Sequence, residues 1–225
     1  MTRVLVLTAI DVEARGLARQ LGLARVPGAT FPHFSTGVLE LAAIGLRGAR
    51  LAERATAWRA PELVISAGAC GALDPALSVG ALVVPTVVLG PDGARWPTAT
   101  LPRLTASGAL LTVADVVESA AQKARLWMET GAYAVDMESA AILAWARECG
   151  VPAAVVRAVS DDAERGIPAA LAAAVGEDGR VHPLRAVAAA LSRATALGDL
   201  LELRAGTEAA LKSVAGALAQ VARAG

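Results

Sequence analysis

Three acidic clusters each follow a run of apolar residues: Asp11 and Glu13 after VLVLTAI, Asp136 and Glu138 after YAV, and Ser160, Asp161 and Asp162 after VPAAVVRAV. Carboxyl groups so placed suit two jobs. One that stays ionised accepts hydrogen bonds from hydroxyls and faces a developing cation. One that is partly desolvated has its pKa lifted from about 3.9 and holds a proton for delivery near neutral pH. Glu138 falls near the first turn of a helix, where unpaired amides and the helix dipole favour the ionised form. Asp161, beyond a buried strand and beside Ser160, fits the second job, that of a general acid. Spacing alone leaves a plainer reading open, with Asp136 a helix cap, Glu138 a first-turn surface charge and Asp161 a turn former.

The elements that must carry these residues alternate between strand and helix. Strands are expected at Val4–Thr8, Leu39–Ile44, Leu63–Ala67, Leu82–Leu89, Leu110–Val113, Val116–Val117, Tyr133–Asp136 and Val151–Val159. Helices are expected from Asp11 through Leu21, over RGARLAERATAWRA, over Ala120–Thr130, and over Ser139–Cys149 with a stop at Gly150. The stretch from Leu63 to Gly90 is apolar enough to suggest a membrane span, but its glycines, prolines and Asp74 make it two buried strands and a turn. PDGARWPTATLPRL reads as a loop, and two or more helices are expected beyond Pro168. The implied fold is a single α/β domain over residues 1–225: a central mixed, largely parallel sheet, helices on both faces, and a helical C-terminal part over 184–225. Pockets in such folds lie outside the strand ends, where the acidic clusters fall.

Composition narrows the partners. The 21 basic and 21 acidic residues cancel, so neither nucleic acid nor an anionic membrane is indicated, and a small neutral ligand suits the chain better. MTRVLVLTAI is too short an apolar run for a signal peptide or anchor, which points to the cytoplasm. Cys70 and Cys149 form no CxxC pair and read as buried free thiols, and no metal site is expected. His33 and His182 are isolated and read as loop or core histidines. The first strand runs into TAIDVEA with no GxGxxG turn, which argues against a dinucleotide-binding oxidoreductase.

Taken together, VDMES, VRAVSDDA, the opening TAIDVEA and SAGACGALDPALSVGALVVP resemble the signature blocks of the nucleoside phosphorylase and nucleosidase superfamily. That superfamily includes purine nucleoside phosphorylases and methylthioadenosine/S-adenosylhomocysteine nucleosidases, and the resemblance covers nearly the whole chain. The tail GIPAALAAAVGEDGRVHPLRAVAAALSR looks most like the hopanoid-associated phosphorylase branch.

The resemblance implies cleavage of the bond between a purine and its sugar. Asp161 would protonate or hydrogen-bond N7 of the leaving base with help from Ser160. Glu138, with Asp136 beside it, would grip the ribose hydroxyls, and Met137 would lie against the sugar. Glu13 would position the attacking water, with Asp11 close enough to compete for that role. Gly68, Ala69 and Gly71 would let backbone amides approach the ligand, although a tight turn without a ligand explains such glycines equally.

The chain departs from the pattern at two places. It has Ser66 and Ala69 where phosphorylases carry a phosphate-binding Arg and a hydroxyl, so water is preferred over phosphate as nucleophile, with Arg15, Arg47 or Arg50 as candidate substitutes. Val116 or Val117 stands where nucleosidases stack the base on a Phe. Trp96 either closes over an apolar 5′ substituent or anchors its loop. No cofactor is implied, phosphate remains a possible co-substrate, and a homodimer or larger assembly is expected. A nucleoside-binding homologue without catalysis is the alternative of another class.

Overall fold

The computed structural model describes residues 2–167, 174–180 and 196–223. The first apolar run forms β1 (Val4–Thr8), and its alternation splits two cores: Val4 and Val6 face one, Leu5 and Leu7 the other. β1 lies parallel between β4 (Leu39–Ala43) and β5 (Leu63–Ala72). β5 is the axis of the sheet. Its first half pairs with β1, its end pairs antiparallel with β10 (Ala134–Asp136), and its whole length runs parallel to β11 (Ala153–Asp161). β9 (Ala109–Thr112) joins β10 in parallel, and β7 (Val87–Leu89) extends the sheet beyond it.

Helices cover both faces. α1 (Asp11–Leu21) and the long α5 (Ala196–Ala222) share a core with the Val4, Val6, Ile65 and Val156 side of the sheet. On the other face α2 (Leu51–Ala55) and α4 (Ser139–Glu148) supply Leu51, Ile142 and Ala146 against Leu5, Leu7 and Val64. α3 (Ala120–Thr130) is capped by Ser119 and sends Leu126 into a smaller cluster with Leu73, Leu111 and Val135. The result is the expected single α/β domain with a mixed sheet.

Several local expectations change. The strand expected at Leu63–Ala67 does not give way to a turn at the glycines: β5 runs on through Gly68 and Gly71, because β11 pairs with it along that stretch. Pro85 divides the expected strand 82–89 into β6 (Leu82–Val83) and β7, and the expected loop after it contains β8 (Arg95–Pro97), which pairs back onto β7. Val116 and Val117 are not in a strand. RGARLAERATAWRA is helical only over α2, after a single 3-10 turn in which Arg47 is left-handed. A hairpin of β2 (Ala24–Arg25) and β3 (His33–Thr36) extends the sheet at β4, and there His33 Nε2 meets Glu40 Oε1 at 2.6 Å, so this histidine is a partnered core residue. Cys70 is buried, but Cys149, expected to be buried, is exposed at the end of α4. Trp96 lies on β8 against the core beside Val88 and Leu110, with Arg147 over its ring, so it anchors its segment. His182 and residues 184–195 lie outside the described residues, and no helix within the described residues is long and apolar enough to cross a membrane.

Candidate active site

β5, β10 and β11 end around one cavity of about 240 Å³, walled by apolar side chains such as Val113, Val116, Val117 and Leu203. Eight further residues singled out in the sequence line it: Glu13, Ala69, Gly71, Asp136, Met137, Glu138, Ser160 and Asp161. Gly68 does not line it.

Glu13 reaches the cavity from the first turn of α1. One carboxylate oxygen accepts the N–H groups of Ala9 and Ile10, both at 3.2 Å, and the other accepts that of Ala69 at 2.8 Å. The helix start thus fixes one side of the carboxylate and the end of β5 fixes the other. Gly68 is what makes this possible. Its φ is +144°, and a Cβ there would lie 2.5 Å from Glu13 Oε1. Burial pushes the Glu13 carboxyl upward, against the pull of Arg157 and of the three amides. Asp11 does not compete for the site, since it turns to Arg15 at 3.5 Å and is absent from the cavity wall.

Arg157 explains why the other carboxylates converge. It sits in the middle of β11 at 1% exposure, with its guanidinium 2.8 Å from Asp136 and 3.7 Å from Glu138. It also donates to the Ala69 carbonyl and to Ser66 Oγ. Burial works against its charge, but Asp136, Glu138 and Glu13 outweigh that and raise its pKa. Asp136 faces inward: besides Arg157 it accepts from Thr112 Oγ1 at 2.7 Å and from the Ser139 N–H and hydroxyl, and so caps α4 as well.

Glu138 begins α4 without capping it. Its side chain turns into the cavity and accepts the Arg47 N–H at 3.1 Å. The helix end expected to keep this carboxylate ionised is opposed here by burial. Burial pushes it up to about 7, Arg157 pulls against that, and Asp136 adds to it.

Asp161 ends β11. Ser160 Oγ lies 2.7 Å from Oδ1, and the Lys123 ammonium lies 2.5 Å from Oδ2. Lys123, at 1% side-chain exposure, is a partner that sequence reasoning missed, so Asp161, expected to be partly desolvated beside Ser160, is also ion-paired. Gly71 leaves room beside it, since a Cβ there would lie 3.0 Å from Oδ2. Lys123 shares a helix face with Leu126, which was the signal available. For Arg157 the signal was a charge inside an otherwise apolar strand. Among the described residues no group of His, Cys, Asp and Glu is placed to hold a metal ion.

The three arginines considered for phosphate lie elsewhere. Arg15 is turned to Asp11, Arg50 to Glu53 and Arg47 to Glu177 and the Ala114 carbonyl, and none lines the cavity.

The profile of the phosphorylase superfamily matches residues 6–103 and 97–192. The chain belongs to that superfamily and is an enzyme of it. No curated protein sequence matches it significantly. Among solved structures, this superfamily member is similar to the 5′-methylthioadenosine/S-adenosylhomocysteine nucleosidase of Neisseria meningitidis in complex with methylthio-immucillin-A (18% identity, TM-score 0.70, 100% of each chain covered). It is also similar to the futalosine hydrolase of Helicobacter pylori (16% identity, TM-score 0.70, 99% of this chain and 97% of that one). A mutant of the Helicobacter pylori nucleosidase holding 5′-methylthioadenosine gives 17% identity and a TM-score of 0.70, with 99% of each chain covered. At these identities the likeness is one of fold.

Proposed function

We infer that this chain hydrolyses the N-glycosidic bond of a purine nucleoside, with a 5′-modified adenosine as the leading substrate. The observation that carries this reading is the convergence of Glu13, Glu138 and Asp161 on one largely apolar cavity. Cleavage of such a bond needs a proton on the leaving base, stabilisation of an oxocarbenium-like sugar, and a nucleophile on its other side. Asp161, oriented by Ser160, supplies the first at N7. Glu138 accepts the ribose hydroxyls while Met137 lies against the ring, and Glu13 takes a proton from the attacking water. The Ala69 and Gly71 backbone and Val117 provide the wall for the base. Asp136 acts by holding Arg157, which in turn fixes Glu138. The chemistry calls for no cofactor.

Water is favoured over phosphate by charge. Among the described residues the cations at the cavity wall are Arg157 and Lys123, and both are engaged by carboxylates. A phosphate dianion would meet Glu13 and Glu138 without a free bidentate partner. The solved neighbours named as nucleosidase and hydrolase agree with this choice.

Asp161→Asn keeps the shape of the site but has no proton to give. It is expected to retain folding and nucleoside binding while kcat falls by about 10²–10⁴-fold, and unchanged turnover would remove Asp161 from its role. Product analysis tests the nucleophile. Free ribose, or its 5′-modified form, is expected with or without phosphate. Sugar 1-phosphate formed only when phosphate is present would replace hydrolysis by phosphorolysis, and tight binding without base release would leave a binding protein. Self-association belongs to the same reading, and sedimentation showing a monomer at micromolar concentration would exclude it.

A further inference from the structure

The cavity contains a cation that the proposed reaction does not yet use. Lys123 lies in the first turn of α3, where the helix dipole disfavours positive charge, and its ammonium is buried. Burying an ammonium costs several kcal/mol before any partner is counted, and a buried ion pair is a poor source of net stability. Stability therefore gives no reason for a lysine here. Its contacts are specific: Nζ reaches Asp161 Oδ2 at 2.5 Å, the Asp161 carbonyl at 3.3 Å and the Asp162 carbonyl at 2.5 Å. An ammonium has three N–H donors, so these contacts use all of them. Lys123 thus has none left to recognise a base directly, and it acts through Asp161. Among the described residues the other donor on that carboxylate is the Ser160 hydroxyl, which is no acid near neutral pH.

We propose that Lys123 is a positioning residue that stocks the proton Asp161 delivers to the leaving base. The proposal rests on the reading of the site as a nucleosidase. At rest the pair is ionic. A purine filling the cavity strips water from it, and apolar surroundings favour neutral partners over separated charges. The Nζ–H bond breaks as Oδ2–H forms, leaving a neutral amine and a neutral carboxyl. That proton passes to N7 as the C1′–N9 bond breaks with its electron pair going to the base. Water oxygen bonds to C1′ and releases its proton to Glu13. When the products leave, solvent carries one proton from Glu13 back to Lys123, so substrate and water are converted to sugar and free base with no net change in the protein.

The test compares two substrates in three proteins. A nucleoside methylated at N7 already carries the positive charge that protonation would supply, so it needs no proton from Asp161. In Lys123→Met, kcat on the ordinary purine nucleoside is expected to fall about a hundredfold or more with KM little changed, while kcat on the N7-methylated nucleoside stays within a few-fold of wild type. Lys123→Arg keeps the charge but cannot release its proton, so it is expected to show the same selective loss. Recovery of the ordinary reaction by arginine would overturn the proposal, since charge alone would then suffice. Equal losses on both substrates would also overturn it, by assigning Lys123 a structural role. A wild-type protein that cleaves neither substrate would fail the nucleosidase reading itself, whereas wild-type turnover unaffected by Lys123→Met would fail only the role of the lysine.

Discussion

At Glu138 two effects of known sign compete. The start of α4 and the Arg157 guanidinium favour the carboxylate, burial favours the acid, and burial wins, bringing the group from its ordinary 4.5 up to about 7. A carboxyl raised in the folded state stabilises the fold below the unfolded value, and that stabilisation is lost as pH rises through the folded value. Glu138 should therefore cost stability progressively between pH 4.5 and about 7. Glu138→Gln removes this dependence. The difference in unfolding free energy between wild type and variant, from urea titrations across that range, is expected to shift toward the variant by up to about 1.4 kcal/mol per pH unit. A flat difference would show that Glu138 is ionised throughout. Since the proposed grip on ribose needs the carboxylate, kcat/KM should rise over the same interval. That Asp161, Glu138 and Glu13 gather at one cavity was legible because each follows an apolar run and sits in a recognisable block. Their ion-pair partners Arg157 and Lys123 were not legible, because no spacing rule tells which distant strand or helix will bring a counter-charge.

Elements were legible in proportion to their length and burial. β1, the first half of β5 and, apart from Arg157, most of β11 are apolar runs, and α1, α3 and α4 carry clear helical spacing. The two- and three-residue strands β2, β6 and β8 have too few residues to show a period, and pairing alone defines them. The glycines of β5 suggested a turn when read locally. Their reason is tertiary, since carboxylates of Glu13 and Asp161 occupy the space where side chains would be. Gly206 in α5 works the same way, because a Cβ there would collide with the Ser160 carbonyl at the end of β11. Gly206→Ala sets two magnitudes against each other. Helix propensity favours alanine by about 1 kcal/mol, whereas overpacking against backbone costs about 1–3 kcal/mol. The collision is with a fixed carbonyl, so overpacking should prevail. The variant is expected to be about 1 kcal/mol less stable by thermal or urea unfolding, and also slower, because relief by moving β11 displaces Asp161. Increased stability with normal kcat would show that α5 shifts freely.

For the molecule as a whole, α5 joins the two properties. It closes the larger core with Leu211, Val214, Leu218 and Val221, all buried beside Ile65, Val156 and Leu17, and it lends Leu203 and Thr207 to the wall of the cavity. Burying a Leu or Val side chain contributes about 1.5–3 kcal/mol, so these four contribute about 6–12 kcal/mol, comparable to the whole net stability of about 5–15 kcal/mol typical of a domain. A helix making a contribution of that size cannot be a dispensable appendage, even though it comes last in the chain. A protein ending at residue 195 is therefore expected to lose cooperative unfolding and near-ultraviolet dichroism, and not merely to bind nucleosides weakly. A folded but inactive truncation would mean that the sheet, α1 and α4 suffice for stability and that α5 serves the cavity alone. The contact of Gly206 with the strand that ends in Asp161 argues against that separation, because the surface that seals the core also sets where the acid stands.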